Sequence, residues 1–181
     1  MKSESLIIIV GLLISFLTAR SGETGEQLTV VDSVDITKYT GLWYEIARIP
    51  NSFQKNCSGT VTARYEIRQD GKLNVINRCI QEDGSSSKVK GIAKVVDPES
   101  NAKLKVSFVQ ILGISLFWGD YWIIGLDENY EWAIVGSPGR KYGWILSREP
   151  EIADSTIQKI FTLLETKNYN PAEFILTNQQ K

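Results

Sequence analysis

The chain has 181 residues, 43% of them hydrophobic and 23% charged, with 20 Lys plus Arg against 21 Asp plus Glu and a formal net charge of -1. That is an ordinary globular composition sized for one domain, and it supplies no broad positive field for a nucleic-acid backbone. Histidine is absent and there are 2 cysteines, which excludes serine triads, histidine-based zinc sites and all-thiolate zinc sites, so no metal or cofactor is expected and binding is favoured over catalysis.

Residues 6–17 read LIIIVGLLISFL, preceded by Lys2 and followed by Ala19 and Ser21. The run is shorter than the ~20 apolar residues that span a bilayer. Charged start, apolar middle and small-residue end are the layout of a secretory signal, so residues 1–21 are set apart from a single domain over 22–181. Export makes Cys57 and Cys79 candidate disulfide partners.

Eight short runs rich in Val, Ile, Tyr, Trp and Thr follow, over 41–48, 60–67, 72–79, 88–96, 102–109, 120–127, 131–137 and 142–148. Asp70-Gly71, Asp83-Gly84, Asp97-Pro98 and Ser137-Pro138-Gly139 supply turns between them. Such spacing predicts an antiparallel meander that closes into a barrel or packs as a sandwich. Val61, Ala63, Tyr65 and Ile67 alternate with Thr62, Arg64 and Glu66, and Leu104, Val106 and Phe108 with Lys103, Lys105 and Ser107. One face is therefore apolar and the other wet. Closing eight such strands leaves an interior that side chains fill or that holds one small ligand.

Beyond Arg148 the period changes to Ile157, Ile160, Phe161 and Leu164, which predicts one amphipathic helix whose stripe covers the outside of the sheet. It lies between Glu149-Pro150-Glu151 and Asn168, the latter suited to a left-handed exit. Residues 174–176 suit a last short strand.

Gly41-Leu42-Trp43-Tyr44, with a helical lead-in over 35–39, resembles the G-x-W motif of the lipocalins. Gly119-Asp120-Tyr121 resembles their T-D-Y motif, with Gly in place of Thr, and Arg148 resembles the arginine that packs over the first-strand tryptophan. WYEIARIP, LKVSF, DYWIIGLD and YGWILSR are similar to the bacterial outer-membrane lipocalin and apolipoprotein D branch. The resemblance implies an all-β fold: an eight-stranded antiparallel up-and-down β-barrel with one C-terminal α-helix outside. It gives Gly41, Trp43, Asp120, Tyr121 and Arg148 structural roles, and implies a fatty acid, lysophospholipid or similar cargo and a part in membrane lipid maintenance. Bacterial relatives often end their signal in a lipobox cysteine; here Ala19 precedes Arg20. An exported, periplasmic or secreted form is expected, outer-membrane associated only by means other than such a cysteine.

Extending the parity of Trp43 and Arg148 along the strands places Ala47, Ala63, Tyr65, Val75, Asn77, Ala93 and Leu104 inside. Val106, Phe108, Tyr121, Ile123, Ala133, Trp144 and Leu146 complete the expected lining, and Trp118 is counted with it. The alanines leave volume, while Tyr65, Asn77 and Tyr121 add polar groups, a mix suited to a ligand with an apolar tail and one polar end. The alternative is a packed interior. Residues 108–118, FVQILGISLFW, carry no charge and predict an apolar loop that touches membrane lipid, forms a homodimer patch or packs across the mouth.

If Asp70-Gly71 is a two-residue hairpin loop, Cys79 faces Thr62, about 17 Å of strand from Cys57. The disulfide is then expected only if residues 50–59 fold back along the sheet. Two function classes stand: a carrier of one lipophilic molecule, or a lipid- or isoprenoid-modifying enzyme whose reactive group would come from Cys57, Cys79, Glu45 or the tyrosines.

Overall fold

The computed structural model describes residues 26–179, and the expected signal at 1–21 lies outside the described residues. The strands are β1 (Gly41–Arg48), β2 (Cys57–Ile67), β3 (Leu73–Gln81), β4 (Ser86–Val95), β5 (Lys103–Ser107), β6 (Val109–Ile111), β7 (Ile114–Leu116), β8 (Gly119–Leu126), β9 (Trp132–Gly136), β10 (Gly143–Ser147) and β11 (Ile175–Leu176). β1 to β5 and β8 to β10 pair antiparallel in chain order and β10 returns to β1, which closes an eight-stranded barrel without free edges. β6 and β7 form a separate hairpin, and β11 adds to the far end of β1.

Alternation overrides the turn dipeptide in setting the β2–β3 register. Tyr65 faces Val75, Ala63 faces Asn77 and Thr62 faces Arg78, one residue away from the pairing that a two-residue Asp70-Gly71 loop predicts. The turn instead has three residues: Gly71 N donates to Arg68 O at 3.0 Å, Arg68 N to Lys72 O at 2.8 Å, and Gly71 takes φ +76°. Ala63 and Tyr65 on β2 and Leu73 and Val75 on β3 occupy odd positions, so only an odd-with-odd register keeps these apolar residues on one wall, with Ile76 and Ile80 left on the other face. Two irregularities in β2, between Cys57 and Gly59 and between Gly59 and Thr62, then slide its first residues along β3. They bring Cys57 and Cys79 to a Cα separation of 5.6 Å in a disulfide, so the bond forms within the strand pair and needs no fold-back of 50–59.

A bulge in β1 re-aims the chain beside the helix α2 (Asp154–Thr166). Glu45 pairs with Leu146 and Ala47 with Ile145, so Ile46 and Ala47 both face outward while Glu45 and Arg48 face in. Ala47, expected in the lining, belongs to the layer under the helix. There Ile160 and Leu164 are fully buried against a cluster that includes Ile46, Ile124, Ile134 and Ile145. The helix ends as its sequence predicts: Asn168 has φ +59°, Asn168 N donates to Glu165 O and Tyr169 N to Leu164 O.

One end of the barrel is sealed. The helix α1 (Ile36–Tyr39), N-capped by Asp35, crosses that end, and the Trp43 indole N–H donates to Tyr39 O at 2.8 Å. Arg148 lies over the Trp43 ring, 3.8 Å from its centre, and donates to Leu42 O at 2.8 Å and Lys38 O at 2.6 Å. Above this seal the Tyr121 hydroxyl bonds both Tyr39 and Tyr65 hydroxyls at 2.8 Å. Burial pushes the Tyr65 phenol up to about 12, and holds Tyr39 and Tyr121 well above the ordinary value of 10.0.

Arg148→Ala removes the stacking cation and its carbonyl contacts, and is expected to lower stability by about 2–4 kcal/mol with an unchanged m-value in urea unfolding. The phenols give a second test. Unfolded tyrosine loses its proton near 10.0 while folded Tyr65 keeps it until about 12, so above pH 10 the folded state binds more protons. Stability is therefore level below that pH and falls as pH rises from 10 towards about 12, a fall that Tyr65→Phe reduces.

Candidate functional site

Cα partners in adjacent strands share a wall, so register gives the interior row by row. Trp43, Ala63, Asn77 and Val89 form one row; Tyr65, Val75 and Gly91 form the next. Leu73, Ala93 and Val106 follow, then Val95, Leu104 and Tyr121. Ile123, Val135, Trp144 and Arg48 make a further row, and Leu126, Ala133, Leu146 and Glu45 the last. Twelve of the expected lining residues thus lie on the inner wall: Ala63, Tyr65, Val75, Asn77, Ala93, Leu104, Val106, Tyr121, Ile123, Ala133, Trp144 and Leu146.

Phe108 joins them by a glycine. A Cβ on Gly91 would point inward and meet the Phe108 ring at 2.6 Å, so the ring occupies the space above Gly91 on the inner side. Trp118 does not. Its ring lies under Lys94 Nζ at 4.4 Å, and Lys94 pairs with Lys105 on the wet face, which puts Trp118 outside the barrel. The cause is the β6–β7 hairpin, whose two strands are tied to β5 by Ser107 Oγ contacts with Val109 O and Leu116 O. The expected loop at 108–118 is this hairpin rather than a plug across the mouth.

Access changes along the barrel. Trp43, Leu73, Leu104, Ile123 and Ala133 are buried at the sealed end, whereas Ala63, Asn77, Val106 and Trp144 are only half-buried although they face inward. Val89 and Phe108, nearer the other end, are 45% and 39% exposed. The inner wall is therefore closed at the Trp43 end and solvent-accessible toward the other, in the manner of a cup. Among the described residues nothing donates to Asn77 Oδ1, a buried carbonyl oxygen left for a water or a ligand donor.

A polar group that the strand pattern misses sits on the opposite wall. Glu45 accepts from Arg48 Nη1 and Thr177 Oγ1, each at 2.6 Å, and from Gln54 Nε2. Gln54 Oε1 accepts the Trp144 indole N–H at 2.9 Å, which latches the 51–54 segment onto the cup wall. A buried carboxylate requires such partners. The parity of Trp43 already puts Glu45 inside, but only the β1 bulge turns Arg48 inward beside it. Both cysteine thiols are consumed in the disulfide.

Comparison with known proteins agrees with this geometry. Residues 34–179 match the family described as Lipocalin-like domain. The outer membrane lipoprotein Blc of Escherichia coli K12 is 39% identical over 153 residues, covering 84% of this chain and 83% of its own. Apolipoprotein D of Macaca fascicularis is 30% identical over 161 residues, covering 83% and 80%. Among solved structures, insecticyanin of the tobacco hornworm Manduca sexta superposes with a TM-score of 0.66 at 20% identity, covering 83% of this chain and 84% of its own, a likeness of fold. With the Trp43–Arg148 seal, the half-open barrel and the outer helix in place, the chain belongs to the lipocalin family.

Proposed function

We propose that the protein is a carrier that takes one lipophilic molecule with a single acyl-like tail, a fatty acid or lysophospholipid, into the cup. The observation that carries the reading is the contrast within one wall: apolar residues sealed at the Trp43 end, half-buried Ala63 and Asn77 next along the wall, and inward-facing Val89 and Phe108 left exposed toward the other end. A tail would lie on the apolar rows, where burial contributes roughly 25 cal/mol per Å². The unpaired Asn77 Oδ1 would receive a hydroxyl or amide donor of the polar part.

Loading through the mouth requires no chemistry from the protein. The enzyme alternative loses its best nucleophiles to the Cys57–Cys79 bond, and Glu45 is held by Arg48, Thr177 and Gln54. Relatives named as outer membrane lipoproteins support an exported or envelope-associated setting, in which the cargo is a membrane-derived lipid.

The test is titration of the delipidated protein with a fluorescent fatty acid. Saturable binding at one site per chain is expected, weakened by about tenfold or more in Ala63→Trp, whose indole fills the cup beside Asn77. Undiminished binding by a folded Ala63→Trp protein would remove the ligand from the cup.

A further inference from the structure

Outside the cup, the surface carries an unpartnered apolar projection and a positive wall. In the β6–β7 hairpin Ile111 faces Ile114 across a two-residue turn in which Leu112 has φ +50° and Gly113 φ +80°. Asn is the residue that such a turn and water both favour at its first position. Here it is Leu112, 97% exposed, and Phe117 at the hairpin's foot is also left-handed, at φ +55°, and 83% exposed. Two large apolar side chains are thus held in an unfavourable backbone region and presented to solvent.

The adjoining wet face of β2 to β5 is cationic although the chain as a whole is at -1. Arg78 pairs directly opposite Lys88, and Lys94 opposite Lys105; Arg64 and Lys90 flank Ile76. Like charges directly opposite destabilise a sheet. Among the described residues no carboxylate pairs with Arg64, Arg78, Lys88 or Lys90, while Asp120 takes Lys105 at 3.2 Å. The other carboxylates near this wall are Glu66 on β2 and those of the turns at its ends: Asp70, which is held by Arg68 and Lys72, Glu82 and Asp83 after β3, and Asp97 and Glu99 after β4. Trp118 under Lys94 joins the hairpin to the wall, so projection and charge form one surface.

We propose that this surface docks the protein on an anionic lipid bilayer, with Leu112 and Phe117 entering the headgroup region and the β2–β5 cations meeting lipid phosphates. Charge complementarity selects this occupant. A second copy meeting the same patch would set one positive wall against another. A bilayer with negative headgroups relieves the Arg78–Lys88 and Lys94–Lys105 repulsions and receives the apolar tip. The docking takes its purpose from the carrier reading, since it would bring the mouth to the source of cargo, but the two are separable by experiment.

The test uses the chain from residue 22 onward, which contains all the described residues, 26–179. It is floated with vesicles of phosphatidylcholine alone or with about one-third phosphatidylglycerol. At least about tenfold more protein is expected on the anionic vesicles, falling in 0.5 M salt. Leu112→Asp combined with Phe117→Ser abolishes flotation, and Lys88→Glu combined with Lys90→Glu abolishes the preference for anionic lipid. Both variants retain fatty-acid binding in the cup, which shows that they fold and keeps failure of docking distinct from failure of the carrier reading. Equal flotation with both vesicle types overturns the proposal. So does flotation unaffected by the hairpin substitutions, or a concentration-dependent dimer in ultracentrifugation that Leu112→Asp dissolves.

Discussion

The stacking of Arg148 on Trp43 decides what kind of object the barrel is. A closed sheet of eight strands has two ends, and its interior becomes a cup only if one of them excludes water. Arg148 does this with one planar group: its face covers the indole at 3.8 Å while its edges bond Leu42 O of β1 and Lys38 O of α1. Lysine has neither the planar face nor the fixed fork of donors. The three linked tyrosines sit directly above; burial keeps them neutral to a higher pH than an ordinary tyrosine, so the floor is lined by hydroxyl groups rather than charge.

The wall then divides by what lies outside it. β9 and β10 are covered by α2 and are buried almost throughout, and they read as near-continuous apolar runs, WAIVG and GWILS. β2 to β5 face water and alternate, with Arg and Lys on the wet side. Bulges in β1 and β8 serve the covered side: Ile46 with Ala47, and Ile124 with Gly125, turn consecutive residues toward the helix. The same β1 bulge turns Arg48 inward to Glu45. The β1 bulge thus serves both the layer under the helix and the polar group on the inner wall.

Period and parity made most of this legible. The Ile157, Ile160, Phe161, Leu164 stripe and the Asn168 exit give α2 and its cap, and strand parity gives twelve inner-wall residues. Parity failed where regularity failed. Ala47 continues the 43, 45 series on paper, but the bulge inverts it. Trp118, counted with the lining, lies outside because the hairpin carries the chain out of the barrel before returning it at Gly119. A two-residue Asp70-Gly71 loop pairs odd positions with even, against alternation; burial of a whole wall outweighs the preference of one turn. Val89 and Gly91 share the parity of Ala93, and pairing with Asn77 and Val75 puts them on the inner wall beside it.

The central claim is that the cup is built to be occupied, and native mass spectrometry of the chain from residue 22 onward tests it most directly. The protein is measured as purified from a lipid-containing source and again after organic extraction and refolding. The account predicts an added mass of one lipid per chain before extraction, its loss afterwards, and its return on addition of a single-chain fatty acid or lysophospholipid. A bare chain mass in all three states, with folded charge distributions, would contradict it and mean that side chains alone fill the interior.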